Sequence, residues 1–384
     1  MKAILVIICL LVICQTMLAQ DSTEKKKKWE LNGYIKNLQT LGFDKNFENV
    51  MGGNLLHNRI NVKWKPTEHF TAAVEWRNRL IWGDEVRNTP GFTKLLRNEN
   101  EWMNLSALWI SKSNFVLHSN IERLWAEYRN ANWNLRLGRQ RINWGIATTW
   151  NPNDIFNTYN FLDFDYEERP GSDAMRFQYL FKDFSNIEIA VSPMGDKDKT
   201  IAAVRYFINR WGYDMQVIAG VYQNRFTAGF GWAGNIGNVG YKGEGQVFIR
   251  EGNTKTAFNY SMELNYVLKN AWYLSASALH NTLGISEPIS DWSKIDFRIS
   301  PMNLMPVKWS VITAVSKEFT PLFSGNINLV YSPQVNLFIF YPSLKYNIAE
   351  NIDVDLIWQS FFVELQSRFQ ATNHRSFLRL KWNF

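Results

Sequence analysis

Leu378-Arg379-Leu380-Lys381-Trp382-Asn383-Phe384 closes the chain in unbroken alternation. Leu378, Leu380, Trp382 and Phe384 fall on one face of an extended segment, with Arg379, Lys381 and Asn383 on the other. Side chains alternate across a strand with period two, so this segment has one apolar face and one wet face. The same pattern recurs upstream. Phe258, Tyr260, Met262, Leu264 and Tyr266 alternate with Asn259, Ser261, Glu263 and Asn265. Leu56, Ile60, Val62 and Trp64 alternate with His57, Arg59, Asn61 and Lys63. Strands of about ten residues with this alternation are the sequence sign of a transmembrane β-barrel.

The alternation places strands near 29–38, 54–64, 70–80, 119–130, 133–143, 172–182, 186–193, 200–209, 212–222, 226–234, 239–250, 256–268, 271–281, 306–317, 322–332, 335–347, 351–362 and 374–384. The expected fold is all-β: a transmembrane antiparallel up-and-down barrel of about 18 strands (16 to 18), occupying residues 29–384. Connections support it. Every second one is brief and turn-like, and the long ones near 81–118, 144–171 and 282–305 all fall in the other set. Short periplasmic turns and longer external loops give a barrel that parity.

Composition agrees. Aromatics make up 15% of the residues, including 17 Trp, while the mean hydropathy is only −0.27. A barrel averages an apolar band with aromatic girdles against a polar lumen. Lys2, the apolar run Ala3–Cys14 and the boundary at Ala19, Gln20 and Asp21 read as a secretory signal. Residues 1–20 are therefore expected to be removed near Ala19 or Gln20, leaving 21–28 as a short charged segment that includes Lys25 to Lys28. Both cysteines, Cys9 and Cys14, go with the signal, which excludes disulfides and thiolate chemistry from the mature chain. The expected location is the outer membrane.

The formal net charge is +7, but its distribution says more. Ten of the 20 arginines lie between Arg59 and Arg141. Arg59, Arg77, Arg79, Arg123, Arg129, Arg136 and Arg176 share the polar faces of neighbouring strands, which would stack them along one side of the lumen. Arginine stays charged and binds carboxylate or phosphate with a planar fork. Charged ladders set pore selectivity. The plainer reading is that Glu75, Glu122 and Glu127 pair with these arginines and brace the wall.

Other patterns carry less. Trp102, Leu105, Leu108 and Trp109 recur at helical spacing in the 81–118 loop. That segment would form a constriction, an outer cap or a strand extension. Gly229-Phe230-Gly231-Trp232-Ala233-Gly234 matches a nucleotide fingerprint only literally, because no helix follows. Its glycines on the lumen face leave room for an inserted loop or a strand bend. Asp163, Asp165, Glu167 and Glu168 read as a solvated acidic loop rather than a calcium site. The five histidines show no metal-ligand spacing, and no nucleophile elbow occurs, so neither an enzyme nor a cofactor is expected. Nucleic acid is not an expected partner, because arginines facing a lumen present no exposed groove.

Leu137-Gly138-Arg139-Gln140-Arg141-Ile142-Asn143-Trp144-Gly145, followed by Asn151-Pro152-Asn153-Asp154-Ile155-Phe156, resembles a segment of large porin-like barrels of the alginate-export type. That resemblance implies 18 strands, an arginine-rich lumen and long loops narrowing a path for an anionic polysaccharide. Arg139 and Arg141 match its motif positions, which implies a lumen or loop-anchoring role for both. The expected function is a passive channel for small or polymeric, anionic solutes. The alternative is a surface-polysaccharide anchoring or assembly factor, or an envelope-machine component, with a plugged lumen. Expected partners are outer-membrane lipid, the anionic solute or polysaccharide, and barrel-assembly machinery that reads the terminal strand at Phe384.

Overall fold

The computed structural model describes residues 27–384 except 97–100, 159–161, 163–169, 195–196, 251–254, 292–294, 296 and 298. The signal, the start of the charged segment and the acidic cluster 163–168 lie outside the described residues. The strands are β1 (Trp29–Asp44), β2 (Val50–Trp64), β3 (Phe70–Gly83), β4 (Ser106–Lys112), β5 (Phe115–Arg129), β6 (Trp133–Gln140), β7 (Ser172–Leu180), β8 (Asn186–Ser192), β9 (Ile201–Arg210) and β10 (Tyr213–Tyr222). They continue as β11 (Arg225–Ile236), β12 (Val239–Ile249), β13 (Ala257–Val267), β14 (Trp272–Asn281), β15 (Trp309–Thr320), β16 (Phe323–Ser332), β17 (Leu337–Ala349), β18 (Ile352–Leu365) and β19 (Arg368–Asn383).

Each strand pairs antiparallel with its sequence neighbour, and β1 pairs with β19, so the sheet closes on itself. The exception is β4. It pairs with the upper part of β5, while β3 pairs directly with β5 along its whole length. The closed ring therefore has 18 strands, and β4 is an extra strip of wall. Closure removes the free edges that an open sheet would expose. The segment at 102–110 is thus a strand extension at its C-terminal end, not a helical constriction. Its spacing suits a helix, but cross-strand hydrogen bonds to the exposed upper edge of β5 determine its form.

The two termini and the short turns share one end, the turn end. The long connections share the other, the loop end. Aromatic side chains ring the turn end on the outside. Trp29 stacks on Trp64 at 5.7 Å, Phe70 meets Trp64 edge-on, and Tyr128, Trp133 and Phe177 continue the row. Such girdles suit the boundary between hydrocarbon and headgroups.

The seam is held by Gly33, whose N–H donates to Phe384 O at 2.9 Å. A Cβ on Gly33 would stand 2.2 Å from Arg59 O and 2.8 Å from the Phe384 ring. Gly33→Val is therefore expected to cut the yield of closed barrel severely, read as loss of heat-modifiable migration on a gel. Gly42→Ala, whose Cβ would meet its nearest neighbour at an ordinary 3.7 Å, should leave the yield unchanged.

Candidate functional site: the lumen wall and its inserted loops

Three loop-end connections turn inward, and each covers a different part of the inner wall. After Gln140 the chain leaves the wall and enters the lumen. Ile142, Trp144, Ile155 and Phe156 are buried there against the inner faces of β7 to β13, on Ala174, Ala190, Ala203, Ile218 and Phe248. Small wall residues give the loop its space. At Gly231 an added Cβ would stand 2.9 Å from both Asn153 Nδ2 and Ile146 Cδ1. Gly229 and Gly231 of that run face the lumen, and Gly231 lies beneath the inserted loop, whereas Gly234 is on the outward face beside Tyr213.

Two carboxylates on the wall hold that loop. Glu244 of β12 is fully buried. It accepts hydrogen bonds from the backbone N–H groups of Ile146, Ala147 and Asn153 and from Asn151 Nδ2, the last two at 3.1 and 3.2 Å. Glu263 of β13 accepts from Thr148 N and Thr148 Oγ1, both at 2.7 Å. Trp144 Nε1 donates to Glu188 at 2.6 Å, and Gln216 Nε2 donates to Trp144 O at 2.6 Å. Wall side chains thus replace the water that these turn amides would otherwise need.

A second connection, 282–308, packs Ile289, Ile295, Leu304, Met305 and Val307 on the inner faces of β14 to β18, with Trp150 of the first loop between them. The third carries two short helices, α1 (Asp84–Asn88) and α2 (Phe92–Leu95). Val86, Phe92 and Leu96 lie on Leu38, Leu55, Ile81 and Val116 at the loop end.

The remaining inner wall, on β19, β1, β2, β3 and β5, is charged. The registers bring Lys36 opposite His57 and Lys381, Arg59 opposite Arg77, and His57 opposite Arg79. Carboxylates interleave. Arg59 pairs with Glu75, Arg77 Nε lies 2.8 Å from Glu122, and Arg379 Nε donates to Asp355 at 3.0 Å. Arg123 faces inward opposite Glu75. Lower down, Glu127 accepts from Arg136 at 2.7 Å and from Arg129 at 3.0 Å, while Arg176 and Arg205 flank Glu188 at 3.7 and 3.4 Å. The cations outnumber these carboxylates along the β19–β5 arc, so the wall is a braced network with a positive excess. Sequence reasoning missed Lys36 and Arg205, single basic residues on strands beside the cluster, and Arg375, Arg379 and Lys381, which lie far along the chain and meet the cluster only when the ring closes.

Two sequence candidates stand apart from this wall. The register from Trp133↔Tyr179 to Gln140↔Ser172 is unbroken, so Arg139 lies on the opposite face of β6 from Arg136. There it is buried beside Asp173, with Nε donating at 2.8 Å to Oδ1 and Nη2 at 3.0 Å to Oδ2. Its guanidinium also donates to Met103 O and to Ile121 O. Asp173 in turn accepts from the N–H groups of Trp102 and Met103, both at 2.8 Å. Arg139 thus fastens the 101–103 segment to the wall. Glu101 lies 3.2 Å from it, and burial holds the Glu101 carboxyl above its ordinary range against the pull of Arg139. Arg141 is exposed at the start of the inserted loop.

A cavity of about 730 Å³ opens at the loop end between α1, α2 and the charged wall. Arg79, Arg375, Gln359, Phe92, Phe361 and Phe377 are among its lining. No group of metal-ligating side chains occurs among the described residues.

No family model matches the chain, and no curated protein does. The alginate-export resemblance of the 137–156 stretch therefore finds no support there. Solved structures do match. OccAB4 of Acinetobacter baumannii superposes with a TM-score of 0.61 at 10% identity, over 94% of this chain and 99% of that one. The chain shares its fold. OccK3 (OpdO) of Pseudomonas aeruginosa gives 0.57 at 10% identity, over 93% and 95%. OpdK, an outer membrane protein of the same organism solved with vanillate, gives 0.57 at 8% identity, over 92% and 98%.

Proposed function

We propose that the chain is an outer-membrane channel through which small anionic solutes pass along the β19–β5 side of the lumen. The carrying observation is the division of the inner wall. Two inserted loops pack on the apolar arc from β7 to β18, the third covers only the loop end of β1, β2, β3 and β5, and the rest of that arc presents Lys36, Arg59, Arg77, Arg79, Arg379 and Lys381. A strand-rich ring of this size leaves a lumen wide enough to conduct. The interleaved Glu75, Glu122 and Asp355 keep the arginines extended and weaken each site, so a bound anion can leave.

The cavity at the loop end suits a small solute with one negative group and an apolar body. Arg79 and Arg375 supply the positive end, and Phe92, Phe361 and Phe377 the apolar one. The vanillate in OpdK is a solute of that shape and charge, on the same fold. A small solute suits this entrance better than a polymer does. The terminal strand ending at Phe384 is the segment we assign to recognition by barrel-assembly machinery, and the signal to export.

Planar-bilayer recording under a salt gradient tests the reading. Wild-type channels should reverse at a potential favouring anions. Arg77→Ala combined with Arg123→Ala should shift that potential towards cations, because it removes two charges and leaves Glu122 without its 2.8 Å partner. An unchanged reversal potential sinks the arginine pathway. A folded but silent protein would move the assignment to a plugged anchor or assembly factor.

A further inference from the structure

Two rungs on the inner faces of β18 and β19 carry an arginine, and they differ in what opposes it. On the lower rung Arg379 stands opposite Asp355 and donates to it at 3.0 Å, so that cation is braced and neutralised. On the upper rung Arg375 stands opposite Gln359, and an amide takes the place of the carboxylate. Arg375 is exposed, lines the loop-end cavity, and makes no ion pair or side-chain hydrogen bond with a described residue. Gln359 lines the same cavity at only 1% exposure, and its Nε2 has no hydrogen-bond partner. A buried donor without an acceptor is costly, and a ligand oxygen removes that cost. On the other side of Arg375 lies Gly42 of β1, so no side chain there covers the guanidinium. The buried rings of Phe377 and Phe361 lie on the rungs below and above.

The opposite lip of the cavity carries the other sign. Helix α1 brings Glu85 to it. Its two neighbours fix its place: Asp84 Oδ2 accepts from Gly52 N at 3.0 Å, and Val86 is buried on Leu38, Leu55, Ile81 and Val116. The Glu85 carboxylate lies over Gly53, where an added Cβ would stand 3.1 Å from Oε2, so the missing side chain gives it room. Gly53 is on β2, two strands from Arg375 on β19, which is about 10 Å at the usual strand spacing. That span matches a benzene ring with a substituent at each end. Phe92, Leu95 and Leu96 supply apolar surface in the same cavity. The cavity's other cation, Arg79, is already engaged, with Nη2 donating at 3.2 Å to Leu96 O and to His118 Nδ1.

We propose that Glu85 determines which solutes this cavity admits: Arg375 and Gln359 seat one carboxylate, and Glu85 rejects a solute with a second negative group at its far end. The inference rests on the channel reading above and narrows its solute class to monocarboxylates with an apolar body and a neutral or cationic far end.

The physical reasons are separate for the two ends. A guanidinium and an amide N–H both donate to a carboxylate, and a charge-assisted bond of this kind is the stronger sort. At the far end, discrimination between solutes of one shape needs a repulsive element as well as an attractive one. A second carboxylate beside Glu85 meets a like charge, while an ammonium there meets an opposite one. A carboxylate has about four acceptor sites, so Glu85 can take an ammonium and keep a wall contact.

Three rigid probes of one shape test this: 4-methylbenzoate, benzene-1,4-dicarboxylate and 4-(aminomethyl)benzoate. Titration calorimetry on the folded, heat-modifiable protein reads binding, and planar-bilayer recording reads conduction separately. The wild type should bind the dicarboxylate about tenfold more weakly than 4-methylbenzoate, and the aminomethyl probe most tightly. Glu85→Gln, at an exposed position, should lift the dicarboxylate at least to the level of 4-methylbenzoate and weaken the aminomethyl probe. Arg375→Gln should weaken all three together, by about tenfold. A wild type that binds the dicarboxylate as well as 4-methylbenzoate, or that binds none of the probes, overturns the proposal. So does a Glu85→Gln protein that keeps the wild-type ranking. Silent bilayers with the ranking intact would instead overturn the channel reading and leave the selective site standing.

Discussion

Glu244→Ala channels are expected to pass larger and less regular currents than the wild type. The carboxylate is fully buried and accepts from three backbone N–H groups and one amide side chain of the inserted loop. Truncation leaves the three backbone donors inside the lumen without that acceptor, at about 1–3 kcal/mol each, while Asn151 Nδ2 keeps Ala147 O. A loss of even about 3 kcal/mol shifts the loop's in-to-out equilibrium more than a hundredfold. The other fastenings, Glu263 on Thr148 and Gln216 on Trp144, persist. The loop should therefore detach at its tip while Ile142 and Phe156 stay seated. Glu244→Gln keeps one acceptor oxygen and should fall between. Single-channel recording on heat-modifiable protein reads the outcome. Unchanged conductance and unchanged current noise in Glu244→Ala would show that the loop does not narrow the path.

That device was half visible in the sequence. The barrel itself was legible because its rule is local. Alternation at Phe258–Tyr266 or Leu378–Phe384 states which side of the strand is wet without reference to any partner. The turn parity then fixed the topology. The inserted loops obey no such local rule. Trp144, Trp150 and Phe156 are apolar in a loop, and nothing near them in sequence says whether they face lipid, solvent or lumen. The signal lay elsewhere, in Glu244 and Glu263 on strand faces next to Gly229 and Gly231. A carboxylate pair beside missing side chains marks a cradle, but only once the strands are laid side by side. The 102–110 segment left three readings open for the same reason. Its helical spacing is real, yet the upper edge of β5, vacated where β6 turns into the lumen, offers it a line of backbone partners.

Arg139→Ala is expected to release the 101–105 segment from the wall while leaving the rest of the barrel closed. From the sequence Arg139 carries either a lumen or a loop-anchoring role. The unbroken register with β7 puts it on the other face, in a buried pair with Asp173. Two charges in a dry site are stable only together. Removing one partner of such a pair typically costs about 3–5 kcal/mol, because the other is left buried and uncompensated. Asp173 would keep only the two N–H groups of Trp102 and Met103, and Met103 O would lose its donor. The cost therefore falls on the seam between β5, β4 and β7, not on the ring. Limited proteolysis of the protein in vesicles should nick the chain within the 101–105 segment in Arg139→Ala but not in the wild type, with both remaining heat-modifiable. Arg139→Lys tests the chemistry. A lysine keeps the charge but loses the planar fork that meets both Asp173 oxygens and two carbonyls at once. It should be nicked at an intermediate rate. Equal resistance of all three proteins would mean that β4's own pairing with β5 suffices to hold the segment, and that the arginine's burial has no structural consequence.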